Sequence, residues 1–411
     1  MPMDVLINAY CCPEIMVTQR IPTKQTSSLP SQSFSAGRNK VRPCVTIVTM
    51  EETQITQEAE LRAAMTRRKL LRDASLTVGG VLAAEIMSAT SADALDKTPK
   101  IILGSGSHKY ECVHDWLVLP DNVKWGDTQG VCQDSKGRIY ISHTVGGDSQ
   151  SKDAIAVFDR KGKFIKTFGS RFAGGGHGIE VRKEGSKEYL YHCDTAHRQV
   201  VKTDVDGNVI WEKGLPTESG VYQGGAAFIP TNVTFAPNGD FYVADGYGSN
   251  WVHQFNIKGD LVRTWGGSGR ENGKLSQPHG IWVDTRGSEP LVMVCDRGNN
   301  RLHYFTMDGK FVRIDKDGMR QPCHADIQDG HMLIPDLAGV VTVLDENNKV
   351  AVHLGDSAGI ANLPGRGRAR TEFLPGKFVH PHGAKFLANG DILVGEWLPI
   401  GRVTLLKRIK D

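Results

Sequence analysis

The sequence contains no apolar run long enough to cross a membrane as a helix, so a helical integral membrane protein is not expected. It has no Cys-x-x-Cys pair, which removes the common dithiol and zinc-ribbon patterns. Charge of either sign is not in excess: 49 Lys and Arg stand against 46 Asp and Glu, with no block of one sign. Neither a nucleic-acid-binding stripe nor a polybasic membrane patch is therefore expected. Histidine is missing from the first hundred residues, although the 411-residue chain has 14 of them. The front of the chain is thus a different kind of material from the rest.

Residues 1–64 are polar, irregular and without sustained periodicity. They read either as a disordered leader or as an over-long start, since Met65 opens a segment that makes a good beginning of its own. From it run Arg67-Arg68, a modest apolar stretch from Ala74 to Ala84 ended by Glu85, and the small-x-small site Ala92-Asp93-Ala94. That order is expected of a twin-arginine export signal over 65–94, which places the mature protein, from about Leu95, in the periplasm or outside the cell. A basic amphipathic helix is the competing reading. Cys11, Cys12 and Cys44 fall in the leader, leaving Cys112, Cys132, Cys193, Cys295 and Cys323. Cys193 and Cys295 occupy the same place in what read as two successive repeats, and all five are expected to be buried small hydrophobes, not a disulfide framework.

What the sequence has in abundance is glycine, 46 residues, and self-similarity. A strand, a turn and a second strand read from Gln129, and the same phrase returns from His177, Asn232, His279, His324 and His382. Lys136-Gly137, Asn238-Gly239, Asp308-Gly309 and Asn389-Gly390 stand at hairpin positions. Six copies of four short strands predict an all-β, six-bladed β-propeller over 95–411. The last copy ends at the C-terminus short of a strand, which the segment Lys109–Leu119 is placed to supply. A monomer is expected.

Strands within a blade run antiparallel, so residues just before the innermost strand share a face with residues just after the second. The first set is Gln129, His177, Asn232, His279, His324 and His382. His177, His279 and His382 are separated by 102 and 103 residues, two blades each time. Alternate blades of a six-fold ring aim equivalent residues at the axis about 120° apart. Three imidazoles with a fourth position open make a catalytic zinc arrangement, although iron, copper and nickel also accept imidazole. Polar histidines in a wet channel are the bland alternative. His324 adds a fourth candidate ligand or a base behind the ligands. On the same face Tyr247 fills a slot held by Ala196, Gly298, Ala338 or Leu398 in other blades, and Arg297 follows Asp296. Arg297 offers a planar fork for a carboxylate, or a partner for the repeated acids Asp194, Asp245, Asp296, Asp336 and Glu396.

The repeats look like NHL repeats. The words Pro230-Thr-Asn-Val, Val243-Ala-Asp-Gly-Tyr247, Val252-His-Gln-Phe, Pro278-His-Gly and Cys295-Asp-Arg297 resemble the peptidyl-α-hydroxyglycine α-amidating lyase core. The resemblance implies zinc on His177, His279 and His382, catalysis by Tyr247, carboxylate binding by Arg297, and cleavage of a C-terminal α-hydroxyglycine to a peptide amide and glyoxylate. It also implies a structural calcium in the channel. Two positions depart from the family: Thr144 follows His143 where the family has arginine, and Gly383 follows His382 where it has aspartate. A non-catalytic NHL propeller that binds a peptide, glycan or protein, and a lactonase-like metal hydrolase, are the alternative functions.

Overall fold

The computed structural model describes residues 99–361 and 365–410. The expected leader, the twin-arginine segment and the first three cysteines lie outside the described residues.

Six antiparallel sheets follow one another along the chain as propeller blades, over 128–168, 176–213, 232–266, 278–315, 326–354 and 381–408. Each begins with its innermost strand. These are Thr128–Gln133, Gly176–Glu184, Asn232–Phe235, Pro278–Asp284, Asp326–Gln328 and Pro381–Phe386. Among the described residues the helices are single 3-10 turns. The hairpin glycines Gly137, Gly239, Gly309 and Gly390 have φ of 82°, 102°, 83° and 85°, a region closed to most side chains.

Each blade is packed on both faces, so its second strand is buried over most of its length. Ile139–His143 and Phe241–Ala244 are buried at every position. The core is accordingly a ring of six apolar layers, one between each pair of neighbouring blades. Tyr140, Ile155, Ile179 and Leu190 fill the layer between blades 1 and 2, and Met293, Tyr304, Met332 and Ile334 that between blades 4 and 5.

The ring closes as expected. His108–Val113 pairs antiparallel with the final strand, Arg402–Arg408, so an N-terminal strand completes the last blade. Ile102–Ser105 then adds outside it, giving this blade five strands where four were expected. The short hairpin between these two strands folds the incoming chain back onto its own edge, which covers a row of amides that would otherwise face solvent. Cys112, Cys132, Cys193, Cys295 and Cys323 are free and buried, as expected. Cys193 and Cys295 are not in successive repeats, however: they sit in blades 2 and 4 with blade 3 between them. Among the described residues no helix is long and apolar enough to cross a membrane.

Candidate metal centre

His177, His279 and His382 meet at one end of the channel, and a nitrogen from each lies within 4.8 Å of the others. Their ring centroids form a near-equilateral triangle with sides of 4.9, 4.9 and 4.6 Å. All three are buried. They lie inside the innermost strands, not before them, each at an irregularity in the ladder. Pairing skips from Gly176 to Ile179, from Pro278 to Ile281 and from Pro381 to Gly383. A bulge of this kind turns a side chain out of the alternating register, here towards the axis.

Each imidazole is held from behind by a backbone carbonyl of the next blade. Nδ1 of His177 donates to Thr231 O at 2.7 Å, that of His279 to Cys323 O at 2.7 Å, and that of His382 to Gln129 O at 2.9 Å. A carbonyl can only accept, so the proton is on Nδ1 and the Nε2 lone pair faces the centre. The glycine after each histidine makes this possible. A Cβ on Gly178, Gly280 or Gly383 would stand 2.5, 2.7 or 2.4 Å from the same carbonyl oxygen. Any other residue would push the anchoring carbonyl away.

Burial also removes protons from this cluster. It lowers the His177 pKa to about 3 against the opposing bond to Thr231, with the charges of Arg297 and His324 acting in the same direction. His279 and His382 are driven well below the usual histidine range, again chiefly by burial. The Nε2 atoms of His279 and His382 are 3.2 Å apart. With both protons on Nδ1, that contact sets lone pair against lone pair, an arrangement that a shared cation relieves. Three neutral imidazoles with converging lone pairs are a donor set that fits zinc. The three rings, with Gln129, Thr231 and Cys323, line a cavity of about 10 Å³, room for one ion-sized or water-sized occupant.

His324 is not part of the triangle. Its Nε2 lies 2.8 Å from Glu180 Oε1 and its Nδ1 3.2 Å from Ala384 O. The reason is a one-residue offset. Ile281 pairs with Val294 as Val233 pairs with Val243, so the blade 3 residue matching His279 is Thr231 and not Asn232. Cys323, whose carbonyl meets Gly280 as Thr231's meets Gly178, holds that place in blade 5. The ring is therefore Gln129, His177, Thr231, His279, Cys323 and His382, with histidine from even blades and a carbonyl anchor from odd ones. The repeated words Pro230-Thr, Pro278-His, Pro322-Cys and Pro381-His carry this register in the sequence. A shift of one residue on a strand sends the side chain elsewhere.

Tyr247 and Arg297 do lie at the triangle. The Tyr247 hydroxyl is 2.9 Å from His279 Nε2 and 3.4 Å from His177 Nε2. Arg297, on the 3-10 turn Arg297–Asn299, is buried with its guanidinium carbon 5.3 Å from the Tyr247 ring centroid. Asp296 is bonded instead by Arg301, at 2.5 Å, so Arg297 does not serve the repeated acids. Its Nη1 donates to Cys323 Sγ at 3.7 Å.

No family model matches the chain. Over 204 residues it is 29% identical to the probable peptidyl-alpha-hydroxyglycine alpha-amidating lyase pgal-1 of Caenorhabditis elegans, covering 44% of this chain and 56% of that one. Over 255 residues it is 29% identical to peptidyl-alpha-hydroxyglycine alpha-amidating lyase 2 of Drosophila melanogaster, covering 59% and 57%. The chain is a six-bladed propeller resembling the amidating lyases. A third relative, peptidyl-glycine alpha-amidating monooxygenase B of Xenopus laevis, is 26% identical over 228 residues, 48% of this chain. The match spans 25% of the monooxygenase and about half of each lyase.

Proposed function

We propose that the chain is a zinc-dependent lyase acting on a peptide that ends in α-hydroxyglycine, or on a related small hydroxylated substrate. The observation that carries this reading is the convergence of three Nε2 lone pairs beside the Tyr247 hydroxyl and the buried Arg297 guanidinium. His177, His279 and His382 would hold the metal, which when bound supplies a Lewis acid that acidifies a substrate hydroxyl.

The chain's own residues supply the rest. Arg297 has no carboxylate partner among the described residues and offers its fork to the substrate carboxylate. Tyr247, at the edge of the triangle, would act as a phenolate, the form a bound cation favours, and take the proton from the hydroxyl to become the neutral phenol. The oxygen then forms a carbonyl as the carbon–nitrogen bond breaks, and the leaving amide nitrogen takes up a proton. The products are a peptide amide and glyoxylate. A carboxylate-based lactonase site is disfavoured, because Glu180 is engaged by His324. Export, argued from Arg67-Arg68, belongs to the same proposal.

The test combines metal analysis of the purified protein with an assay for glyoxylate release from a peptidyl-α-hydroxyglycine. About one zinc per chain is expected, with His279→Ala losing both metal and activity while circular dichroism stays the same. A folded, metal-free wild-type protein that releases no glyoxylate would return the chain to the non-catalytic propellers.

A further inference from the structure

Deeper in the channel lies a second set of charges that the proposed reaction does not use. Glu180, three residues beyond His177, reaches from blade 2 to His324 in blade 5. Blades 2 and 5 face one another across a six-bladed ring, so this 2.8 Å contact spans the channel. Beside it, Lys385 of blade 6 places Nζ 2.6 Å from Asp326 Oδ1 of blade 5. The other oxygen of Asp326 accepts the Phe386 amide at 2.8 Å. Lys385 also stands 5.1 Å from the centroid of Trp282 in blade 4, and Trp282 meets His324 edge-on at 6.0 Å. Glu180, His324 and Asp326 are buried. Burial opposes the charge on Lys385, but Asp326 and Glu180 outweigh it and hold its pKa above the ordinary value.

The resemblance to the lyases implies a structural calcium in the channel, and these residues do not fit one. Calcium takes six to eight oxygen ligands. The two buried carboxylates, Glu180 and Asp326, are already bonded to His324 and to the Lys385 ammonium, and a fixed positive charge stands among them. We propose that Glu180–His324 across the axis and Lys385–Asp326 between the adjoining blades 5 and 6 lock the ring in place of a structural cation, so that the described residues carry one metal site and not two. Buried charges paired in this way hold only as a set, since removing one leaves its partner uncompensated.

The full chain, treated with EGTA and then with millimolar calcium, tests this by elemental analysis after gel filtration and by thermal unfolding. The wild type is expected to hold no stoichiometric calcium and to keep its Tm in calcium. Lys385→Ala is expected to lower Tm by roughly 5–10 °C. Millimolar calcium is expected to restore part of that loss, because Asp326 is then left without its cation. Calcium near one per chain in the wild type, a wild-type Tm that rises with calcium, or an unchanged Tm in Lys385→Ala would each overturn the proposal. Should the alanine variant not fold, the wild-type calcium measurements decide alone. Zinc, read in the same preparation before EGTA is added because EGTA also strips zinc, bears only on the lyase proposal, so the two can fail separately.

Discussion

An imidazole in a propeller channel is not by itself a ligand; what it becomes depends on which nitrogen keeps the proton. For His279 that choice is made by Cys323 O, 2.7 Å from Nδ1, and the result is an Nε2 lone pair aimed at two others. Tyr247 acts on the same scale. Its hydroxyl lies within reach of both the His279 and the His177 Nε2. Under the proposed lyase chemistry, Tyr247→Phe keeps the three imidazoles and the ring packing but loses the proton acceptor. Zinc content should be unchanged while kcat for glyoxylate release falls by about 10²–10⁴. A kcat within twofold of wild type at saturating substrate would remove Tyr247 from the chemistry. Tyr247 and Arg297 were legible in the sequence, because a bulky phenol replaced a small residue and strand direction put both on the histidine face. His324 was not. It differs from a ligand position by a single step along a strand, and only the pairing of Ile281 and Val233 with their neighbours shows which step is which.

At the scale of the strand, the bulge and its glycine are the device that makes the site. The pairing skip after Pro278 turns His279 towards the axis, and Gly280 lets the Cys323 carbonyl come close behind it. Gly280→Ala places a methyl 2.7 Å from that oxygen and 3.1 Å from Cys295 Sγ, so the neighbouring strand must shift. The expected cost is about 1–3 kcal/mol of stability, as for other overpacked sites. Loss of the carbonyl anchor should also weaken metal affinity by roughly 10–100-fold. Competition with a metal chelator and a denaturant melt measure the two effects. If stability falls and affinity does not, the carbonyl is not what orients the ring. The glycines were visible in the sequence as a recurring residue after histidine, but the carbonyl each one admits comes from the next blade, 53, 43 and 254 residues away for Gly178, Gly280 and Gly383.

For the whole molecule, the burial of neutral histidines sets the response to acid. Away from the triangle, burial lowers His143 from its ordinary 6.5 to about 4, and His114, His192 and His253 to about 3. A depressed histidine stays neutral in the folded chain while the unfolded chain takes up a proton. Its contribution is therefore whole above pH 6.5 and is lost as pH falls through that value towards 4 and 3. Each such residue costs about 1.4 kcal/mol per pH unit within the window. Asp245, raised by burial from 3.8 to about 6, acts with the opposite sign, as do Asp127 and Asp336. The histidines are more numerous and more strongly shifted, so Tm should fall steadily from pH 6.5 to 4. A flat Tm across that range would contradict the burial argument.

The repeated strand–turn–strand phrase determined the class of the fold, because six units that each hide two apolar faces can do so only by stacking in a closed ring. Its period also determined that three histidines come from alternate blades, since equal spacing in the chain becomes equal angle around the axis. What the tertiary structure alone decided is contact between blades. The carbonyls behind the imidazoles and the Glu180–His324 bond across the channel each join residues distant in sequence. No local pattern encodes such pairs, because they depend on the register in which separate blades pack, and a register changed by one residue reverses the direction of every side chain on the strand.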